Sequence, residues 1–196
     1  MRVVTYGFGM RSEMRRLSAA AAVVAAVLCL GACAPDDPGP KPSPDPTSTP
    51  LFASDEEALA AAEEAYGRYQ AVSDAILIDG GSNTDRLLEV ATSEKLAYEE
   101  AGYEDFRANG YRSTGGSTFD RMTLQNRSDG PEPSVSVYVC DDVSAVDIVG
   151  PDGVSVVASN RPDRFPRTVD FVPAEAGSAA LIVSLIEEWT GENFCV

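Results

Sequence analysis

Four cysteines, no histidine, seven tyrosines and 31 side-chain carboxylates define the side-chain chemistry open to this 196-residue chain. Without His, the commonest general base and the commonest metal ligand are both missing. Cys29 and Cys33 close an apolar run near the N-terminus, whereas Cys140 and Cys195 lie far down the chain. A thiol at the end of an apolar segment can serve as a point of attachment, and a pair of thiols in an oxidising compartment can form a disulfide. Two cysteines without His do not make a metal site, and no cofactor motif is present. Acid–base work would fall to Tyr66, Tyr69, Asp120 and Tyr138, and would need a carboxylate raised in pKa by burial. No Gly-x-Ser-x-Gly elbow occurs.

The apolar run decides the compartment. Arg15 and Arg16 form a basic flank, and Leu17 to Leu30 is uncharged and almost wholly apolar. As a helix it would span only about 21 Å, short of the roughly 30 Å bilayer core. A basic flank, a short apolar core and small residues describe an export signal. Its ending, Leu30-Gly31-Ala32-Cys33, resembles the bacterial lipobox. That resemblance implies a diacylglyceryl group on the Cys33 thiol, cleavage before Cys33 and further acylation of the new amino terminus. Two or three acyl chains anchor stably where one does not. The alternative is an ordinary secretory signal with an incidental cysteine. Glu13 is unusual in a basic flank, and Met10 and Met14 stand as alternative starts to Met1.

Residues 1–32 are thus expected to be a lipoprotein signal peptide, and 33–53 a lipidated cysteine with a Pro/Asp-rich tether. "APDDPGPKPSPDPTSTP" holds nothing larger and apolar than Ala or Pro, so it cannot build a core. Extended as polyproline II, it would reach about 50 Å. Residues 54–196 are expected to form one globular domain. Removing Met1–Ala32, with its four Arg and one Glu, lowers the basic residues from 15 to 11 and the acidic from 31 to 30. The formal charge of −19 that results argues against nucleic acid, whose binding rests on Lys and Arg at phosphates. It equally argues against adsorption on anionic lipid, so membrane contact is expected through the anchor alone. In an exported domain Cys140 and Cys195 are expected to pair, closing a loop of about 56 residues; two separate buried thiols are the alternative.

Helices come first. Ser54 or Asp55 suits the N-cap of a helix whose apolar stripe is Leu59, Ala62, Tyr66, Tyr69, Val72 and Ile76, ended by Gly80-Gly81. One or two shorter helices follow, capped at Asn83, Thr84 or Ser93 and closed at Gly110. From Tyr111 the pattern turns to strands: Tyr111–Asn126, Ser134–Asp142, two short strands about "PDG", then "PRTVDFVPAE" and "AALIVSLIEEWT". In the second, Val135, Val137 and Val139 share one face, and Ser136, Tyr138 and Cys140 the other. "STGGST" lacks the Walker pattern and its Lys, and reads as a turn. Arg161, Arg164, Phe165 and Arg167 form the one basic cluster, either a loop with local Asp163 pairing or a partner-binding tip.

Helices followed by a run of antiparallel strands predict an α+β fold with the helices on one face of a curved sheet. The long first helix, the "STFDRMTLQN" strand and the closing "LIVSLIEEWTGENFCV" resemble the cone-shaped, cystatin-like fold of the nuclear transport factor 2-like superfamily, with a lipocalin-like barrel fragment as the alternative. That superfamily includes ketosteroid isomerases and polyketide cyclase-like proteins. The same features are similar to those of actinobacterial lipoproteins with this fold. The resemblance implies a pocket between helix and sheet, but no catalytic residue can be matched to this sequence. The expectation is a non-catalytic binding or accessory module on the outer face of the cell membrane, meeting a protein, cell-wall or small apolar ligand. An isomerase- or cyclase-like enzyme with a Tyr/Asp pocket is the competing class, and a homodimer through the open sheet fits either.

Overall fold

The structure, a computed structural model, describes residues 50–195. All of them belong to one compact unit, Pro44–Val196. Cys33, the apolar run and most of the tether lie outside the described residues. Among the described residues no helix is long and apolar enough to cross a membrane.

Helix α1 spans Asp55–Ile78. Ser54 caps it, accepting from the Glu57 amide at 3.2 Å, and Glu57 reaches back to the Ala53 amide at 2.8 Å. This is the reciprocal arrangement that Ser-x-x-Glu produces at a helix start. The glycine pair ends the helix as expected: Gly80 and Gly81 have φ of 74° and 76°, and their amides bond back to Leu77 and Ile76. A 3-10 turn, Thr84–Glu89, leads to α2, Ser93–Ala108. Thr92 caps α2, one residue before the expected Ser93, and Gly110 follows its end at φ 67°.

Six strands follow: β1 Arg112–Thr114, β2 Thr118–Ser128, β3 Ser134–Asp142, β4 Asp147–Val149, β5 Arg164–Pro173 and β6 Leu181–Glu188. Four make an antiparallel sheet in the order β2-β3-β5-β6, and β1 pairs with β4 in a separate ribbon. Helices against antiparallel sheets confirm the α+β class. The sheet's helix-facing side packs Val135, Val137, Val139, Val169, Phe171 and Val183 beneath Ala58, Ala62, Ala65 and Tyr66 of α1, all at most 1% exposed. Three alanines on one helix stripe let its backbone approach the sheet, and the valines fit the pleated surface.

Two strand expectations need correction. Tyr111–Asn126 is not one strand: the chain breaks at Gly115-Gly116, and its two parts join different sheets. Gly115 has φ 75°, and a Cβ there would stand 1.9 Å from the Ala145 carbonyl oxygen, so only glycine passes. The segment after "PDG" is not a strand either. Its turn forms, with the Gly153 amide on the Gly150 carbonyl, but only a single bridge, Val149 to Ser155, survives beyond it.

The expected disulfide is present. Cys140 and Cys195 are bonded, with Cα atoms 5.5 Å apart. Cys140 lies on the sheet face away from the helices, and the bond draws the C-terminal tail over that face. Tyr138 packs edge-on against Trp189 and Phe194 there, with centroids 5.1 and 6.1 Å away. Arg164 donates to the Cys195 carbonyl at 3.0 Å and holds the tail from the strand side.

Candidate functional site

A cleft of about 960 Å³ opens between α1, α2 and one end of the sheet. That volume lies near the top of the range for small-ligand sites. Its floor is Asp141 at the end of β3. The Asp141 carboxylate accepts from the Tyr66 hydroxyl at 2.7 Å and from the Gln70 amide at 3.2 Å, and Arg167 stands 3.6 Å away. Burial lifts the Asp141 carboxyl above its ordinary pKa, while the Tyr66 hydrogen bond and Arg167 pull it the other way.

A second carboxylate forms the wall on the α2 side. Glu99 accepts from Tyr69 at 2.5 Å and from Tyr103 at 3.0 Å, and pairs with Lys95 at 2.8 Å. Lys95 is only 5% exposed. Its ammonium stands 5.8 Å from the centre of the Tyr69 ring and 5.6 Å from that of Tyr98. A buried lysine is tolerated because both a carboxylate and aromatic faces compensate it. The third carboxylate, Asp74, accepts from the backbone amide of Ser117 at 2.8 Å and from its hydroxyl. It thereby fixes the "STGGST" linker to α1.

Each buried tyrosine is committed to one of these carboxylates. Burial raises the phenol pKa of Tyr66, Tyr69 and Tyr103, and the adjacent Asp141 or Glu99 raises it further. Tyr66 is also held by aromatic packing, edge-on to Phe119 at 5.1 Å and to Phe171 at 6.4 Å, and stacked on Tyr69 at 6.0 Å. The phenols are therefore fixed donors whose protons point at carboxylates. An oxyanion hole would need such a donor aimed at the space a substrate oxygen occupies.

Of the residues singled out from sequence, Tyr66 and Tyr69 line the cleft, as does Arg167. Asp120 does not: it sits on β2 opposite Cys140 and pairs with Arg164. Tyr138 lies across the sheet, under the C-terminal tail. The basic cluster is divided among separate tasks. Arg161 donates to the carbonyls of Val143 and Val146 at 2.9 and 2.8 Å. Arg164 bridges Asp120 and Asp142. Arg167 joins Asp141 and Glu188, with its guanidinium 5.4 Å from the centre of the half-buried Phe165 ring. Three of the four residues belong to β5, so they are sheet residues and not a loop tip. Asp141, Glu99, Lys95, Gln70 and Asp74 were not anticipated.

No protein-family model matches the chain, and no curated protein matches it. Among solved structures it is similar to the intermembrane space region of chloroplast protein ARC6, at 9% identity and a TM-score of 0.48. That alignment covers 68% of this chain and 97% of the other. It is also similar to a periplasmic fragment of TraM, at 11% identity and a TM-score of 0.39, over 69% of this chain and 96% of that one. At such overlap neither likeness carries a residue or an activity to this chain.

Proposed function

We propose that this protein is a lipoprotein anchored through Cys33 on the extracytoplasmic face of the cell membrane, and that its domain is a non-catalytic binding module. The lipobox-like ending of the apolar run supports the anchor. The Cys140–Cys195 bond supports an oxidising compartment, where such bonds persist. One observation carries the binding reading: the cleft is large and open, yet every buried tyrosine hydroxyl in and beside it is already directed at a carboxylate. Satisfied polar networks rigidify a site, and these three buried phenols are not free to donate to a substrate.

The competing reading is an isomerase- or cyclase-like enzyme. It draws on Asp141, a carboxyl raised by burial at the floor of the cleft, which is the environment a general base needs. Tyr66 and Gln70 both donate to one oxygen of that carboxylate and Arg167 stands beside the other, so the carboxylate is already engaged on both oxygens, and this favours binding over catalysis.

The anchor has a direct test. Cys33→Ala should give an unprocessed precursor or release the protein from membranes, read by fractionation and intact mass. A processed form that stays on the membrane would contradict the assignment.

A further inference from the structure

The cleft touches four consecutive residues of β6, Leu185, Ile186, Glu187 and Glu188. Neighbouring strand residues point to opposite faces. A cavity that meets all four therefore runs along the strand's edge, where the backbone is, and not over one face. β6 is an edge strand of the four-stranded sheet.

The first half of that edge is occupied by the protein itself. The Leu181 carbonyl accepts from Arg68 at 3.1 Å. The Val183 amide donates to the Val90 carbonyl, and its carbonyl accepts from the Thr92 amide, both at 2.9 Å. Ala91 thus forms a one-residue parallel bridge to Val183. The chain then turns into α2 at Ser93 and leaves the edge. Beyond the irregularity at Asp170/Phe171, Trp189 bonds inward to the Pro166 carbonyl. Antiparallel alternation consequently turns the N–H and C=O of Ile186 and Glu188 outward. Among the described residues no backbone group meets them.

From this geometry, and resting on the binding-module reading, we infer that the cleft takes an extended basic peptide segment of a partner, added as a strand to Ile186–Glu188. Strand addition in a groove between a sheet edge and a helix is an established recognition mode. The charge selects the peptide. Asp74, Glu99, Asp141, Glu187 and Glu188 line the cleft against only Lys95 and Arg167. Glu187 and Glu188 flank the free backbone on opposite faces, so Lys or Arg on either side of an added strand meets a carboxylate. Leu185 is 41% exposed beside them and Tyr98 is 78% exposed, giving the intervening residues apolar cover. A second copy pairing edge to edge would set these glutamates against their own kind, which disfavours it. The Pro- and Asp-rich segment 34–50 is disfavoured too: it is acidic, and proline lacks the donor a ladder needs.

The test uses the full-length protein in detergent micelles with its disulfide intact, and a soluble peptide of alternating Lys and Val. Amide hydrogen exchange by NMR should show new protection at Ile186 and Glu188 on adding the peptide. N-methylation of alternate peptide residues should weaken binding by about tenfold or more, as expected for losing backbone hydrogen bonds. A peptide of alternating Glu and Val should not bind. Protection that maps elsewhere, or affinity indifferent to N-methylation, overturns the proposal. Protection of the same amides before peptide is added also overturns it: a concentration dependence would assign the edge to a second copy, and its absence to the protein's own N-terminal segment. If the peptide fails while another ligand fills the cleft, strand addition falls and the binding module stands.

Discussion

Reducing the Cys140–Cys195 bond is expected to lower the stability of the domain by about 4 kcal/mol. The bond joins residues 55 apart in sequence, and closing a loop of that length removes much of the unfolded chain's freedom. The folded state gains as well. Cys140 is fully buried and Cys195 is 3% exposed, and the tail between Trp189 and Cys195 covers Tyr138 on the outer sheet face. Freed from its tie, that tail keeps the hydrogen bonds from Arg121 and Arg164 to its carbonyls and its ring contacts with Tyr138. Guanidinium unfolding with and without reductant, and of Cys140→Ser with Cys195→Ser, should show the same large fall in midpoint. Coincident curves for the oxidised and reduced protein would refute the claim.

The second large effect is alkaline unfolding. Tyr66, Tyr69 and Tyr103 are 1%, 6% and 5% exposed, and burial beside carboxylates raises all three phenols. An unfolded tyrosine ionises near pH 10, and the folded values lie higher. Below about pH 10 both states hold these protons, and the stabilising contribution is fully present. Above it the unfolded chain releases three protons that the folded chain keeps. Stability then falls by about 1.4 kcal/mol per pH unit for each phenol, or about 4 for the three. Tyrosinate absorbance from this group should therefore appear only together with cooperative loss of the near-ultraviolet circular dichroism signal. Gradual ionisation of every tyrosine in a still-folded protein would show that the three are not closed off as described.

Much of this structure is legible in the sequence where local rules decide it. Ser54 with Glu57, and Gly80 with Gly81, bound α1 through capping chemistry that needs no tertiary contact. β3 spans Ser134–Asp142 as its alternation indicates, and the same alternation puts Tyr66's partner in reach: after Val135, Val137 and Val139 comes Asp141. Continuing that pattern by one step would have found the floor of the cleft. Asp120 differs from Asp141 only through register, which sets it opposite Cys140 on the outer face.

Other features depend on packing and could not be read locally. In α2, Lys95 and Glu99 have the i,i+4 spacing of a solvated helix face, and only the placement of Tyr69 and Tyr103 around them makes them interior. The arginines near Phe165 look like a loop tip because prolines surround them. Pairing of β5 with β3 and β6 instead places Arg164 and Arg167 among Asp141, Asp142 and Glu188. The break at Gly115 is set by a backbone carbonyl thirty residues on, at Ala145.

The most direct test of a binding module is whether the cleft is occupied in the native envelope. A photo-crosslinking side chain at Tyr98, exposed at the mouth of the cleft, is compared with one at Val154, exposed but outside it. Irradiation of intact cells should give a discrete adduct from position 98 that position 154 does not give. Identical patterns from the two positions, or no adduct from 98, would contradict a cleft built to hold a partner.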